Sequence, residues 1–328
     1  MAGEEAGGSV CPGFPSVPRR GRAFRALIAL GIVSMALVLG LAGVVYSFRS
    51  DKTHVFAAMA GTLHGSRTIR SRDSESSIAR LIEFSNERGE WVGSAWIRRP
   101  HELAPNYRTL VIYAGGNTKS DILNLIPERD DLVLASIQYP FEKPENPFAK
   151  LMLPVLVREA GFRTVASGML AVDFLVDEMC VDPDRIVAVG VSLGSIFATI
   201  HAALDTRLAE LVVIHGGGDF QAIVRAGAGR LRERGFPIAP ALVLAWACAD
   251  TFDPIHWVER VSPRRVTIIA SAEDEVFPPE SIEAVYDHAR EPKQILWTKT
   301  EHVHAWKENL VAALVAQVEK SLDGLPID

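Results

Sequence analysis

The sequence predicts an α/β protein in which helices flank a mostly parallel central sheet. Short apolar, β-branched segments alternate with helical stretches, and this alternation is typical of parallel strands joined by crossover helices. A hairpin comes first, because residues 80–84 and 91–96 flank a polar turn at 86–90. A helix is predicted at 164–179, and a second one near the C-terminus. The later strands are predicted at 109–113, 132–137, 185–189, 211–214, 266–270 and 294–297.

A second prediction concerns the uncharged stretch at 26–48, which is about 23 residues long and sufficient to cross a bilayer as a helix. Positive charge is concentrated before it, whereas Asp51 partly offsets the basic residues that follow, so the positive-inside bias puts the N-terminus in the cytoplasm. We expect an uncleaved anchor. The alternatives are a cleaved signal peptide, with Ala42 and Gly43 near the cleavage point, and a buried helix of a soluble protein. The basic residues before the stretch are Arg19, Arg20, Arg22 and Arg25.

The expected domain organisation follows from that anchor. Residues 1–25 form a basic cytoplasmic leader, 26–48 the transmembrane signal anchor, 49–78 a polar linker, and 79–328 one α/β domain on the extracytoplasmic side of a single-pass membrane protein. The 42 residues at 220–261, between the strands at 211–214 and 266–270, exceed a simple crossover. An apolar helical run at 238–247 lies among them, so we expect a helical cap at about 220–261, between strands six and seven.

Charge and cysteine content exclude several classes of partner. The formal net charge is −6, and no long Lys/Arg block follows residue 30, so nucleic acid is not expected as a partner. Three cysteines are too few for a disulfide framework, and none has the spacing of a zinc site. Buried free thiols are favoured, although pairing of Cys180 with Cys248 stays open. Oligomeric state is open as well.

The motif Gly-Val-Ser-Leu-Gly at 190–194 follows one predicted strand and precedes the apolar run at 196–200. A serine in such a sharp strand-to-helix turn projects its hydroxyl away from the sheet, and glycines on both sides avoid collisions within the turn. Ser192 is therefore a candidate nucleophile. The alternative is that Ser192 only caps the following helix.

A candidate acid and a candidate base follow Ser192 in the chain. Asp274 comes after the strand at 266–270, and His302 comes after the strand at 294–297. A serine hydroxyl attacks a carbonyl only when an imidazole accepts its proton, and a carboxylate orients that imidazole. Asp219 is an alternate acid. His304 is an alternate base, but in an extended chain it points away from the face used by His302.

These residues resemble the α/β-hydrolase superfamily over roughly residues 80 to 322, and the details are similar to its dienelactone-hydrolase and prolyl-oligopeptidase-like branch. The matching segments are 181–186, Asp-Pro at 253–254, and the acidic loop ending in Pro278. The first of them precedes the turn at 190–194, which is called the elbow below. The resemblance implies a triad of Ser192, Asp274 and His302, and an oxyanion hole built from the backbone N–H groups of Leu193 and Gly116. Ala114 stands where the family often has histidine.

From the resemblance we expect a membrane-anchored serine hydrolase that cleaves a small carboxylic ester through an acyl-enzyme, with no metal or organic cofactor. Peptidase, thioesterase and acyltransferase activities of the same fold are alternatives, as is a catalytically silent binding protein. A nucleotide-dependent dehydrogenase is excluded, because no Gly-x-Gly-x-x-Gly follows an early strand.

Overall fold

The computed structural model describes residues 20–104, 107–115, 122–141, 153–179, 181–233, 235, 239, 242, 249–303, 313–318 and 320. The chain divides into two compact units, the first ending at Ser47 and the second beginning at Phe48. Helix α1, Arg20–Arg49, forms the described part of the first unit, and its last two residues belong to the second. Its segment Phe24–Arg49 is long and apolar enough to cross a membrane, and an 18-residue window within it has a mean hydropathy of 2.6 with no residue buried. A signal sequence has the same properties.

The second unit contains a nine-stranded sheet. Across it the strands lie in the order β1-β2-β3-β5-β4-β6-β7-β8-β9. Pairing is antiparallel from β1 to β5 across β2 and β3, and parallel in the remaining five pairs. The strands are β1 (Leu63–Asp73), β2 (Ser77–Asn86), β3 (Trp91–Pro100), β4 (Arg108–Tyr113), β5 (Leu132–Ile137), β6 (Ile186–Val191), β7 (Glu210–Ile214), β8 (Arg265–Ser271) and β9 (Lys293–Thr298).

Helices cover both faces of this sheet, and the predicted mostly parallel α/β architecture is confirmed. Because side chains alternate along a strand, Val111 packs into one face of the core and Ile112 into the other. Leu314 and Val318, in the helical residues 313–318, are buried in the same cluster as Ile112. The helices are α2 (Thr53–Ala60), α3 (Ile122–Leu125), α4 (Leu153–Asp177), α5 (Gly194–Leu204), α6 (Phe220–Ala226), α7 (Ala228–Glu233) and α8 (Pro279–His288).

Helix α4 begins earlier than the sequence predicts, at Leu153 instead of 164. Pro154 stands in its first turn, where the missing backbone N–H has no helical acceptor to lose. Gly161 lies within α4, in the part of the helix before the predicted start. A Cβ atom at 161 would come within 2.8 Å of the Phe252 ring, so this glycine permits close packing and does not end the helix.

The expected linker at 49–78 is the main error of the sequence-based description. It contains α2 and β1, and β1 pairs with β2 along its length, from Leu63 opposite Asn86 to Asp73 opposite Ile78. Most side chains of β1 are exposed, so no buried face produces an apolar alternation in the sequence. Backbone pairing with β2 makes this polar segment an edge strand.

Helix α2 is attached to the second unit through a cluster of aromatic rings. The Phe56 side chain is fully buried, and its ring contacts those of Phe162, Phe252 and Trp257 in edge-to-face geometry, at centroid distances of 4.8, 6.0 and 5.5 Å. Upstream, the carbonyl of Phe48 accepts hydrogen bonds from Arg158 and from the Thr251 hydroxyl. Residues 48–60 are therefore part of the packed unit.

The insertion between β7 and β8 is helical where it is described. It starts with α6 and α7, and it ends with three short 3₁₀ helices, Asp250–Phe252, Pro254–His256 and Val258–Val261. The closing part contributes Val258 and Val261 to the main core. Most of the predicted helical run 238–247 lies outside the described residues, and so do Cys11, Cys180 and Cys248.

Replacing Phe56 with alanine in the full-length chain should lower the free energy of unfolding by about 3–5 kcal/mol, the usual cost of removing a buried phenylalanine. Denaturant unfolding in detergent, followed by circular dichroism, measures the change. His54→Ala is the control, because His54 is exposed on the same helix and should cost little. Equal stability of the two variants would show that α2 does not belong to the folded unit.

Candidate active site

The motif at 190–194 forms a tight turn between β6 and α5. Ser192 lies at its apex with a left-handed φ of 53°, and its N–H donates to the carbonyl of Ile214 at 2.9 Å. A Cβ atom at Gly190 would approach the Cβ of Ala198 to 2.7 Å, and one at Gly194 would approach the Ala114 carbonyl oxygen to 2.8 Å. Small residues are therefore required on both sides, and the Ser192 side chain stays partly exposed.

A chain of hydrogen bonds joins the three residues that the sequence singles out. Ser192 Oγ lies 2.8 Å from His302 Nε2, and His302 Nδ1 lies 2.7 Å from Asp274 Oδ2. A carboxylate can only accept, so Nδ1 carries the proton, and Nε2 of the neutral ring accepts from the serine hydroxyl. Asp274 and His302 are buried, with exposures of 8% and 3%. The arrangement can transfer the serine proton to an imidazole that is held by a carboxylate.

The loop after β8 fixes the Asp274 carboxylate. Its second oxygen accepts backbone N–H groups of Val276 at 2.7 Å and Phe277 at 2.8 Å. Both oxygens are thus satisfied, which a buried carboxylate requires. The neighbouring Glu273 and Glu275 side chains are exposed, so of the three acidic residues in this loop only Asp274 is buried against His302.

The alternate residues have other contacts or lie outside the described residues. Asp219 adopts a φ of 49° and caps α6, accepting from the Ala222 N–H at 3.2 Å. Its own N–H donates to Asp253 at 2.9 Å. These bonds give Asp219 a structural role at the start of the insertion. His304 lies outside the described part of the chain.

The two residues of the expected oxyanion hole differ in what the structure describes. Leu193 follows Ser192 directly before α5, in a region where helical N–H groups lack acceptors from the preceding turn, and its side chain is 41% exposed. Gly116 lies outside the described residues. The loop that carries it leaves β4 at Ala114 and Gly115, which are buried, and Tyr113 pairs with Gly190 across the adjacent strands. This loop therefore starts beside the elbow.

Tyr139 was not expected from sequence patterns to contribute to the site. Its hydroxyl donates to the carbonyl of Ala114, and its ring packs 5.5 Å from that of Phe197 on α5. Burial raises the pKa of Tyr139 well above its usual value, so the hydroxyl keeps its proton and stays a donor. Tyr139 thus ties the start of the 114–117 loop to the end of β5.

Two further residues hold the backbone that carries His302, and neither was assigned this role from sequence. His215 Nδ1 accepts the N–H of Val303 at 3.0 Å, and Glu275 accepts the N–H of His302 at 3.2 Å. His215 is completely buried, with a φ of 46°, directly after β7. The one sequence signal for His215 is its place after a strand, at the edge where Ser192 and Asp274 also lie.

The nitrogen and oxygen atoms of His215, Asp274 and His302 lie within 4.8 Å of one another, a spacing compatible with metal ligands. Each residue uses such an atom in a hydrogen bond described above. His215 Nδ1 accepts from the backbone, and both nitrogens of His302 bond to Ser192 and Asp274. The group therefore has the geometry of a proton-transfer chain with a supporting histidine.

A buried polar network lies beneath the elbow and joins α5 to β4. Tyr113 Oη and His201 Nδ1 are 2.9 Å apart, and His201 Nε2 is 3.5 Å from Asp205. Burial would raise the pKa of Asp205, but the hydrogen bonds from His201 and Arg207 outweigh it, so the pKa of Asp205 lies well below its usual value. The carboxylate remains ionised and holds the end of α5.

Comparison with solved structures shows which fold this site belongs to. An acetyl xylan esterase from Paenibacillus sp. R4 matches with a TM-score of 0.61 at 14% identity, covering 86% of this chain and 98% of that chain. Acetyl xylan esterase 1 from Thermoanaerobacterium sp. JW/SL YS485 matches with a TM-score of 0.55 at 13% identity, covering 85% and 97%. No protein-family model and no curated protein sequence matches the chain.

A puromycin-hydrolyzing peptidase of Mycobacterium tuberculosis also matches, with a TM-score of 0.56 at 18% identity over 76% of this chain and 39% of that chain. At these identities the similarity establishes the fold alone. Together with the sheet order and the strand-turn-helix at Ser192, it shows that the chain has the α/β-hydrolase fold, as the resemblance in its sequence indicates.

The contact between His215 and Val303 predicts that this histidine keeps His302 in place. His215→Gly should weaken the His302–Asp274 hydrogen bond, which is visible as a downfield Nδ1 proton resonance in NMR spectra of the full chain in detergent. His215→Asn should preserve that resonance, because the Asn oxygen occupies the position of Nδ1. Glycine and asparagine both tolerate the positive φ of residue 215. The two variants therefore differ mainly in whether an acceptor for the Val303 N–H is present. An unchanged resonance in the glycine variant would contradict the role.

Proposed function

We propose that this protein is a membrane-anchored serine hydrolase that cleaves a carboxylic ester through an acyl-enzyme. The observation that carries the proposal is the continuous hydrogen-bond chain from Ser192 through His302 to Asp274. The fold adds support, since the α/β-hydrolase fold places such a serine on the turn between a strand and a helix. Fold alone does not determine activity, and the proposal rests on the site.

In the proposed reaction, Ser192 Oγ attacks the ester carbonyl carbon while His302 Nε2 accepts the hydroxyl proton. Asp274 keeps the proton of Nδ1 in place and stabilises the imidazolium that forms. The protonated ring then gives its proton to the leaving alcohol oxygen, and the C–O bond breaks to leave acyl-Ser192. Water then attacks the acyl carbon while His302 Nε2 accepts its proton. The imidazolium returns that proton to Ser192 Oγ as the C–O bond to the serine breaks, which releases the acid and restores the enzyme.

Negative charge develops on the carbonyl oxygen in both steps, and we assign its stabilisation to the backbone N–H groups of Leu193 and Gly116. Such a donor typically lowers the barrier by about 3–4 kcal/mol. Tyr139 supports the loop that carries Gly116 through its bond to Ala114. The histidine that the family often has at position 114 is not needed for these donors, since the backbone supplies them.

The structural neighbours favour an ester over other acyl substrates. Two of the reported neighbours are named acetyl xylan esterases, and the match extends over nearly all of each of those chains. The match to the peptidase extends over 39% of that chain. We therefore propose a small ester as substrate, with amide or thioester cleavage as the alternative chemistry of the same triad.

An activity-based probe tests this proposal. A fluorophosphonate should label the wild-type full-length chain covalently and leave Ser192→Ala unlabelled. Asp274→Asn should slow labelling by about 10⁴-fold, because the imidazole loses its orienting acceptor. Asp219→Asn is the matched control and should label at the wild-type rate. Folded wild-type protein that resists labelling would favour the catalytically silent binding protein. Turnover of ester, thioester and amide substrates by the unlabelled wild-type protein, with Ser192→Ala as the control, would assign the leaving group.

We further propose that α1 anchors the protein in the membrane, with the folded unit on the extracytoplasmic side. The length and hydropathy of Phe24–Arg49 support a membrane span, and the arginines before it support the orientation.

Alkaline carbonate should leave the full-length protein in the membrane pellet, and protease should digest the folded unit in cells whose outer barrier is permeabilised. A soluble, shortened product would indicate a cleaved signal peptide. Digestion only after lysis would contradict the orientation. The Ser192→Ala variant serves as the control that activity does not affect localisation.

A further inference from the structure

A polar surface cavity of about 310 Å³ lies where the chain leaves α1 and enters the folded unit. Its walls come from two places in the sequence: the four residues that begin at the end of α1, and the closing part of the insertion before β8. None of its lining residues belongs to the triad. Its lining residues are Arg49, Ser50, Asp51, Lys52, Asp250, Thr251, His256, Trp257 and Arg260.

Ion pairs fix the walls of this juxtamembrane cavity. Arg49 bonds Asp250 at 3.3 Å, and Arg260 bonds Asp51 at 3.1 Å. The backbone N–H of Thr53, its hydroxyl and the Arg260 guanidinium lower the pKa of Asp51 to about 2. The Asp51 carboxylate therefore stays ionised at neutral pH, and each of the two carboxylates is already paired with an arginine.

Lys52 gives the cavity a surplus positive charge. Its ammonium contacts the hydroxyl of Ser50 at 2.7 Å, and no described carboxylate lies within ion-pair distance of it. Among the lining residues, Arg49, Lys52 and Arg260 are permanent cations, whereas Asp51 and Asp250 are the carboxylates. The cavity therefore has one more positive charge than negative charges. His256, 46% exposed and 3.3 Å from Asp250, adds positive charge when it is protonated.

The covalent chain places this charge at the membrane surface if α1 spans the bilayer. Lys52 is four residues beyond Phe48, so it lies at most about 14 Å from it along the chain. The headgroup layer on each side of a bilayer is roughly 5–8 Å thick. Basic side chains immediately beside a membrane span attract anionic lipid.

We propose that the juxtamembrane cavity binds the phosphodiester of an anionic phospholipid headgroup, with Lys52 as its main cationic partner. One phosphodiester carries one negative charge, which equals the surplus. A zwitterionic headgroup would also bring an ammonium group, whose carboxylate partners are already paired with arginine. This inference rests on the proposed membrane anchor and is independent of the proposed hydrolysis.

Native mass spectrometry of the full-length chain in detergent micelles tests the site. With equimolar dioctanoyl phosphatidylglycerol and dioctanoyl phosphatidylcholine, the wild-type protein should retain mainly phosphatidylglycerol. Lys52→Gln should lower that retention by about fivefold, the usual effect of one basic residue at a membrane surface. Lys52→Arg should preserve it. Arg70→Gln is the matched control, because it removes the same charge from the exposed strand β1.

Equal retention of the two lipids, or equal losses in Lys52→Gln and Arg70→Gln, would overturn the proposal. Displacement of phosphatidylglycerol by inorganic phosphate at comparable concentration would also overturn it and assign the cavity to free phosphate. Carbonate extraction of the same variants tests the anchor separately. A variant that stays in the membrane pellet but loses the lipid has lost the binding site and not the anchor. Fluorophosphonate labelling should be unchanged in every variant, since none of them is part of the triad.

Discussion

The site depends on one backbone constraint, the left-handed turn at Ser192 between β6 and α5. A non-glycine residue at positive φ costs on the order of 1–2 kcal/mol, so surrounding contacts must hold it. The bond from its N–H to Ile214 provides one such contact, and the close packing at Gly190 and Gly194 provides the rest. As a result, the Ser192 hydroxyl projects away from the sheet while the Ser192 backbone remains hydrogen-bonded to β7.

Strained backbone is concentrated at this edge of the sheet. Among the described residues, the non-glycine positions with positive φ are Ser192, His215 and Asp219, and they follow the ends of β6 and β7. Parallel pairing brings those strand ends together, with Val191 opposite Ile214 in the register. Each of the three makes a bond that orients another segment: Ser192 toward His302, His215 toward Val303, and Asp219 toward α6. The strained residues are therefore those that position the neighbouring segments of the site.

Local patterns in the sequence were sufficient to predict the core strands. They also marked Ser192, Asp274 and His302, because each of these residues follows a predicted strand, and the structure joins the three by hydrogen bonds. Local patterns were insufficient for β1, whose polar side chains give no alternation and whose order comes from pairing with distant β2. The contacts of His215, Tyr139 and Glu275 are likewise tertiary. A histidine 88 residues before its partner leaves no periodic signal, so only the folded register reveals the bond.

The two ends of the insertion before β8 are joined by hydrogen bonds to one buried carboxylate. Asp253, near its end, is buried and accepts the N–H groups of Asp219 at 2.9 Å and Phe220 at 2.8 Å, at its beginning. Burial raises the pKa of Asp253, while these backbone bonds favour its ionised form. These hydrogen bonds thus hold the beginning and the end of the insertion together next to the strand edge. They fix Asp219 four residues after His215, the histidine that accepts the N–H of Val303 beside His302.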